Sequence, residues 1–407
     1  MSQENKKEKN QDTAPKAEIR YGVLNERYQV DSQSPLPELD VARNKAFKAD
    51  AMGRVSDSLY AVVCEKHYLP RYNLAHIYEK INSSNTIKLV DFGVFYWPPA
   101  KQERYVFVYR HDIQQAVLKD NDKQALGMNQ ETVMSCIVEP FVELLHEFHN
   151  RDFVHGAIRP GNIFLGKDTG GKQKFILGDC LSTQASFTQP SLYETIDRAL
   201  ADPLARGEGV LSDDLYSFGV TLSVLMRTHD PLAGMDNEAV VKEKISKGSY
   251  AAITGKDRFR GTILELLRGL LNDDPQQRWN LDEISAWLEG RRLSPKQVLK
   301  RRIAPRPLVF CGQKYNQTEL LAMSLDILPQ ETVKVVEDGS LEQWLLRSLG
   351  DEDAAQRLVS AYESSKEMGR GKGYEDRLVS NVVSVMDTTG PIRFRGQRMG
   401  ANGIGAA

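Results

Sequence analysis

Val154-His155-Gly156-Ala157-Ile158-Arg159-Pro160-Gly161-Asn162-Ile163-Phe164 is the stretch on which the fold turns. Apolar residues bracket it, and a Pro-Gly pair in its middle marks a turn. His155, Arg159 and Asn162 carry its hydrogen-bonding chemistry. On its N-terminal side Val133, Ile137, Phe141, Leu144 and Phe148 recur at helical spacing. Pro140 falls inside that pattern and predicts a local kink or interruption. On the C-terminal side, Asn162–Leu165 and Lys174–Leu177 read as short strands, joined by a turn at Asp168-Thr169-Gly170-Gly171.

Farther upstream the chain is strand-rich. Leu59–Cys64, Thr86–Val90 and Arg104–Tyr109 are β-branched and aromatic enough for three strands, and Tyr72–Ile81 can form a helix. Downstream, Leu211, Leu215, Phe218, Leu222 and Leu225 define a strongly apolar helix. Ile263, Leu266, Leu267 and Leu270 mark another, and Leu281, Ile284, Trp287 and Leu288 a third. Residues 291–306 hold Arg291, Arg292, Lys296, Lys300, Arg301, Arg302 and Arg306 with no acidic residue, flanked by prolines, as a linker would be. Beyond it, Ser340 to Gln343 has the form of a capping box ahead of Trp344, Leu345 and Leu349.

With 407 residues, 41% hydrophobic, the chain can bury a sizeable core in two or three domains. A formal charge of -2 gives no whole-chain field for nucleic acid. Cys64, Cys136, Cys180 and Cys311 form no CxxC pair, which points away from zinc sites and disulfide frameworks and toward a reducing, cytoplasmic setting. Residues 1–20 are charged and almost free of apolar side chains, so a disordered tail is expected. No apolar h-region follows the early lysines, and no apolar run reaches 18 residues.

The stretch around His155 resembles the protein-kinase catalytic loop, H-R-D-L-x-x-x-N. Three further matches follow in the family's order. Leu177-Gly178-Asp179-Cys180-Leu181 stands where the metal-binding Asp is expected. Asp213-Asp214-Leu215-Tyr216-Ser217-Phe218-Gly219 looks like the start of the family's central buried helix. Asn272-Asp273-Asp274-Pro275-Gln276-Gln277-Arg278 is similar to its late Asp-Pro-x-x-Arg stretch. The resemblance, to kinases of the bacterial serine/threonine kinase-like kind, implies an α+β, bilobal fold over 21–290. A small strand-rich N-lobe would span about 21–110 and a larger helical C-lobe about 111–290, followed by a basic linker at 291–307 and a mainly helical region at 308–407. It also implies structural roles for His155 and Asp214. Arg159, Asn162 and Asp179 become candidates for nucleotide contact, and Asn162 and Asp179 for Mg²⁺, against a purely structural role.

The departures from the family decide the expected chemistry. Ala157 stands at the catalytic-base position, where a methyl group cannot take a hydroxyl proton, a role worth roughly 10²–10⁴ in rate. Gly156 replaces the Arg that pairs with a phosphorylated activation segment, and Cys180 and Leu181 replace the Phe and Gly after the metal-binding Asp. Val63 is read at the place of the phosphate-pairing lysine, with Lys66 as a shifted-register substitute. No G-x-G-x-x-G precedes that strand, and Gly53 stands alone. Asp91-Phe92-Gly93 spells D-F-G but lies far ahead of the loop and reads as a strand.

The expectation is therefore a pseudokinase without a catalytic residue, acting as a signalling scaffold through protein partners. The alternative is an atypical or weak ATP- and Mg²⁺-dependent serine/threonine kinase or other nucleotide-using transferase. An activation-like segment at about 179–203 carries Ser182, Thr183, Ser186, Thr188 and Tyr193, with Ser191–Leu200 able to form a short helix over the groove. The basic stretch 291–306 offers a surface for an acidic partner or an anionic membrane.

Overall fold

The computed structural model describes residues 20–404, apart from 54–57, 119–125, 169, 257–258, 294–295, 297 and 299–300. The expected disordered tail falls outside these residues except for Arg20, which pairs with Asp31. Six antiparallel strands form the N-terminal sheet: β1 (Tyr21–Leu24), β2 (Tyr28–Pro35), β3 (Lys45–Ala51), β4 (Leu59–Val63), β5 (Leu89–Trp97) and β6 (Gln102–Arg110). Their order is β1-β2-β3-β4-β6-β5. The two end strands also approach one another. A Cβ at Gly22 would sit 2.3 Å from the Phe95 ring, and one at Gly93 would sit 2.8 Å from Leu24, so a side chain at either position would displace its neighbour. The curled sheet encloses an apolar core with Leu24, Val30, Ala61, Val63, Phe95 and Val106.

The opposite face of the sheet packs on helices. Tyr60, Val62, Phe107 and Tyr109 join one large core with Phe141, Phe148, Phe153 and Phe218. The helix expected at Tyr72–Ile81 is a 3₁₀ turn followed by α1 (Ala75–Tyr78). The strand expected at Thr86–Val90 begins later, because Thr86 pairs in parallel with Leu177 before β5 starts. Asp91-Phe92-Gly93 lies in β5 as a strand, with Asp91 paired to Arg27 at 2.6 Å.

After β7 (Ile113–Ala116) the chain is mostly helical. α2 (Gln130–Val133) runs through a wide i→i+5 turn at Met134–Val138 into α3 (Glu139–His149). Pro140, which has no N–H to donate, sits in the first turn of α3, so the helix widens ahead of it rather than breaking. β8 (Ile163–Lys167) and β9 (Gln173–Leu177) form the expected hairpin with β7 at its edge. Then come α4 (Ile196–Leu200), α5 (Leu211–Met226), α6 (Asn237–Lys247), α7 (Ser249–Thr254), α8 (Thr262–Leu270) and α9 (Leu281–Leu288).

The C-terminal region builds its own core. Hairpins β10 (Leu308–Phe310) with β11 (Gln313–Tyr315), and β12 (Ile392–Phe394) with β13 (Gln397–Met399), flank α10 (Thr318–Ile327), α11 (Pro329–Glu337), α12 (Ser340–Trp344), α13 (Glu352–Glu367) and α14 (Tyr374–Met386). Phe310, Leu321, Trp344, Leu358, Leu378 and Val382 fill its centre. The capping box does not form. Gly339 (φ +76°) is the N-cap, and Ser340 is already helical with its N–H donated to Asp338. Three cations of the basic stretch meet acids that folding brings to them. Lys296 pairs with Glu283 at 2.6 Å, Arg301 with Asp273 at 3.5 Å and Arg302 with Asp351 at 2.8 Å. Among the described residues no helix is long and apolar enough to cross a membrane.

Candidate functional site

The loop 154–162 is held from below by Asp214, in the first turn of α5. Its carboxylate accepts the His155 N–H at 2.6 Å and the Gly156 N–H at 2.8 Å. Burial pushes the Asp214 carboxyl up to about 6, against the pull of those two amides. Burial also pulls the His155 imidazole down to about 3, so the ring is neutral near pH 7. Its Nδ1 accepts from the Ala157 N–H and its Nε2 donates to the Gly178 carbonyl, each at 3.2 Å. Both residues organise the backbone, and neither lines the cleft cavity.

Gly156 adopts φ +69°, and a Cβ there would lie 2.9 Å from that of Ala185. Its carbonyl accepts the Ser186 N–H at 2.8 Å. The activation-like segment thus packs directly on the loop, in space that a side chain at 156 would claim. Cationic side chains fix the rest of the segment. Arg198 donates to Glu194 and Ser186, Arg206 to the Ser186 and Gln189 carbonyls, and Lys244 to the carbonyls of Ser191, Leu192 and Glu194. Ser182, Thr183, Ser186 and Tyr193 are buried, and only Thr188 of the five hydroxyl residues is partly open. The short helix expected over the groove within 191–200 is α4, but it packs through Leu200 on Val241 and Ile245 of α6 and Met323 of α10 and does not line the cleft cavity.

Above the loop, the sheet places Tyr60, Val62 and Cys64 toward the helices and Val63 toward the sheet's own core. Val63 therefore does not stand at the phosphate-facing position. Strand alternation gives that face to Val62 and Cys64, one residue away on either side. Neither is cationic, and Lys66 is exposed beside a different hollow. Gly53 lies in the turn after β3. The loop over the cleft is instead 36–44, between β2 and β3, and it contains a 3₁₀ turn at Pro37–Leu39. Leu39 from that loop is buried in the main core, where backbone N–H groups of a glycine loop would have faced phosphate. Asn44 ties the loop down, donating to the Ser182 carbonyl at 2.7 Å and accepting the Glu65 N–H at 2.8 Å.

Arg159, Asn162 and Asp179 do come together, lining one cavity of about 110 Å³ with Glu38, Asp40 and Tyr60. Small-molecule sites usually offer about 300–1,000 Å³. The Asp179 carboxylate is already engaged by the Tyr109 hydroxyl, the Ser182 hydroxyl, and the N–H groups of Ser182 at 3.1 Å and Leu181 at 3.3 Å. Burial holds the Tyr109 phenol well above its usual range, so it stays a donor. Asn162 spends its amide on the carbonyls of Ala157 and Asp179, each at 2.9 Å, and Arg159 reaches Gln189 at 3.2 Å. Acidic Glu38 and Asp40 stand on the side open to a ligand. A magnesium nucleotide would meet a small space, a carboxylate already hydrogen-bonded, and Glu38 and the Lys45-paired Asp40 on the loop above.

Sequence reasoning missed Arg71. The chain enters α1 through this residue, and its guanidinium reaches down into the catalytic-loop equivalent. It donates to the carbonyls of Val154 at 2.6 Å, His155 at 3.1 Å and Cys180 at 3.2 Å, and to Glu208 at 2.8 Å. It also lies 5.0 Å from the Phe153 ring centroid. No local pattern distinguishes it from a surface arginine, because its partners lie more than 80 residues away.

Together the fold and this loop define a protein-kinase-like protein. No family model matches the chain. It is 27% identical over 178 residues to the calcium and calcium/calmodulin-dependent serine/threonine-protein kinase of Pisum sativum, covering 41% of this chain and 33% of that protein. With the serine/threonine-protein kinase STK11 of Homo sapiens it shares 27% identity over 243 residues, 56% of this chain and 52% of the relative. A calcium/calmodulin-dependent serine/threonine-protein kinase of Malus domestica is 22% identical over 232 residues, 54% and 49% of the two chains. The chain thus spans from a third to about half of these relatives.

Proposed function

We propose that this chain is a pseudokinase, a bilobal protein-kinase-like fold that acts as a cytoplasmic signalling scaffold or regulator without phosphotransfer. The N-lobe is the sheet of β1–β6 with α1, and the C-lobe runs from β7 to α9. One observation carries the reading: Leu39, Tyr60 and Tyr109 occupy the cleft, leaving about 110 Å³ beside an Asp179 already bonded to Tyr109. Phosphoryl transfer depends on positioning and charge stabilisation by several parts at once. Ala157 removes the base, Val62 and Cys64 leave no lysine facing the cleft, and Leu39 replaces the phosphate cradle.

The test is a thermal-shift titration with ATP and Mg²⁺, followed by label transfer from γ- and α-labelled ATP. A ligand at 100 times its Kd stabilises the native state by about 2.7 kcal/mol. No shift at millimolar nucleotide is expected. A second reading, a weak ATP-using transferase, draws on one observation, the convergence of Arg159, Asn162 and Asp179 on a single cavity. A clear shift with label transfer that Asp179→Ala abolishes would establish that reading and end the first.

A further inference from the structure

We propose that the outer face of β1, β5 and β6 packs against the same face of a second copy of this chain. The inference is independent of whether nucleotide binds. Residues facing away from the sheet's inner core alternate along each strand. On β5 and β6, Val94 lies opposite Tyr105 and Tyr96 opposite Glu103. Nearer the helices, this same face carries Phe92 and Phe107, which enter the main core beside Tyr72 and α1. α1 spans only four residues, so the cover ends there. β1 is drawn against β5 at Gly22 and Gly93, which brings its outward residues Tyr21 and Val23 alongside.

The result is a run of large apolar side chains left in water: Tyr21 39%, Val23 45%, Val94 46%, Tyr96 51% and Tyr105 39% exposed. Taking about 150–250 Å² for each aromatic side chain and somewhat less for each valine, this amounts to roughly 300–450 Å² of largely apolar surface. That is within the range of a monomer's largest patch, which is often functional. It is also about the apolar share of a standard interface burying ~800 Å² per partner.

Two features favour a second copy as the occupant. A two-fold interface needs a face that complements itself, so that residue i meets j and j meets i. Here a projecting Tyr96 lies beside a hollow of about 260 Å³ lined by Val94, Tyr105, Cys64 and Arg104, a knob and a hole on one surface. The exposed rim charges are mixed, Lys66 beside Glu103, while the buried Arg104 is paired with Glu65 at 3.5 Å. A partner of one charge sign would meet repulsion, whereas a two-fold copy sets Lys66 of one chain toward Glu103 of the other. Residues 1–19, which lead into Tyr21, are too polar to fill an apolar face.

Sedimentation velocity of the full chain tests this. Mass should rise with concentration toward twice 45.8 kDa, with a dissociation constant in the micromolar range. Tyr96→Arg should weaken dimerisation at least tenfold with the melting temperature kept, and Val94→Asn serves if Tyr96→Arg lowers it. Glu103→Lys should weaken it similarly, and adding Lys66→Glu to the same chain should restore it. A wild-type chain that stays monomeric to about 100 μM overturns the proposal. Dimers indifferent to Tyr96→Arg, or a charge swap that fails to restore, overturn it as well.

Discussion

Replacing Arg71 by Ala should destabilise the protein by about 3–6 kcal/mol, through the loop rather than through an ion pair. Its guanidinium satisfies the carbonyls of Val154, His155 and Cys180 at a place where the side chain is only 2% exposed. A buried acceptor left without a donor costs about 1–3 kcal/mol. Three such acceptors set the lower bound, and the lost cation–π contact with Phe153 adds about 1 kcal/mol. Glu208 contributes little, because its side chain is 60% exposed. Water entering the vacated space keeps the loss below the upper sum.

Urea denaturation is the assay, with hydrogen exchange of the amides around 153–158 and 178–182 as the local readout. For an m-value of about 3 kcal/mol per M, the midpoint should fall by about 1–2 M. Arg71→Lys should recover part of this, since one ammonium can serve some of the carbonyls but not in the same fork. Arg27→Ala, which breaks the exposed pair with Asp91, should cost under about 1 kcal/mol and serves as the control. An Arg71→Ala midpoint within about 0.3 M of wild type, with unchanged exchange in the loop, would refute the reasoning.

Gly156→Ala should lower stability by about 1–3 kcal/mol, because φ +69° and the Ala185 contact leave no room for a Cβ; a melting-temperature loss of several degrees checks it. Burial pulls the Lys244 ammonium down to about 7 from 10.5. The unfolded chain therefore holds a proton between pH 7 and 10.5 that the folded chain lacks, and this group's contribution falls away as pH drops through that window. The stability difference between wild type and Lys244→Met should shift toward wild type by up to about 2 kcal/mol from pH 7.5 to 9.5, read from urea midpoints at each pH. Ala157→Asp alone should leave label transfer from ATP at background, because it returns neither the lysine nor the space; measurable turnover would contradict the cleft geometry.

The helical half was legible because its signals are local. Leu211 to Leu225 recur at helical spacing, and the helix runs Leu211–Met226. Asn162 of the loop and Asp179 after β9 were likewise found by motif, and they share a cavity. β1, β2 and β3 went unread, because their sequences, Tyr-Gly-Val-Leu and the polar Asp31-Ser-Gln-Ser34 among them, bury one face in a curled sheet that only distant strands complete. Val63 was misplaced for a related reason. In a five-residue strand buried on both faces, apolar residues do not alternate with polar ones, so the sequence cannot say which side faces the cleft. Arg71 and the acids that pair with Lys296, Arg301 and Arg302 were invisible because their partners come from other elements.

The replacements in the cleft act on one another, which argues against reading any of them singly. With no lysine on β4, nothing cationic faces Asp179 from the sheet, and the phenol of Tyr109 takes that place instead. The Tyr109 ring packs tilted against that of Tyr60, centroids 5.4 Å apart, so the second aromatic supports the first. Leu39 descends into the core from a loop, 36–44, that has no glycine to hold phosphate, while Asn44 fixes the loop to the segment after Asp179. Each change supplies the packing or the hydrogen bond that the next one needs. The cleft is therefore closed by a connected set of native contacts, and reopening it would require breaking several of them together.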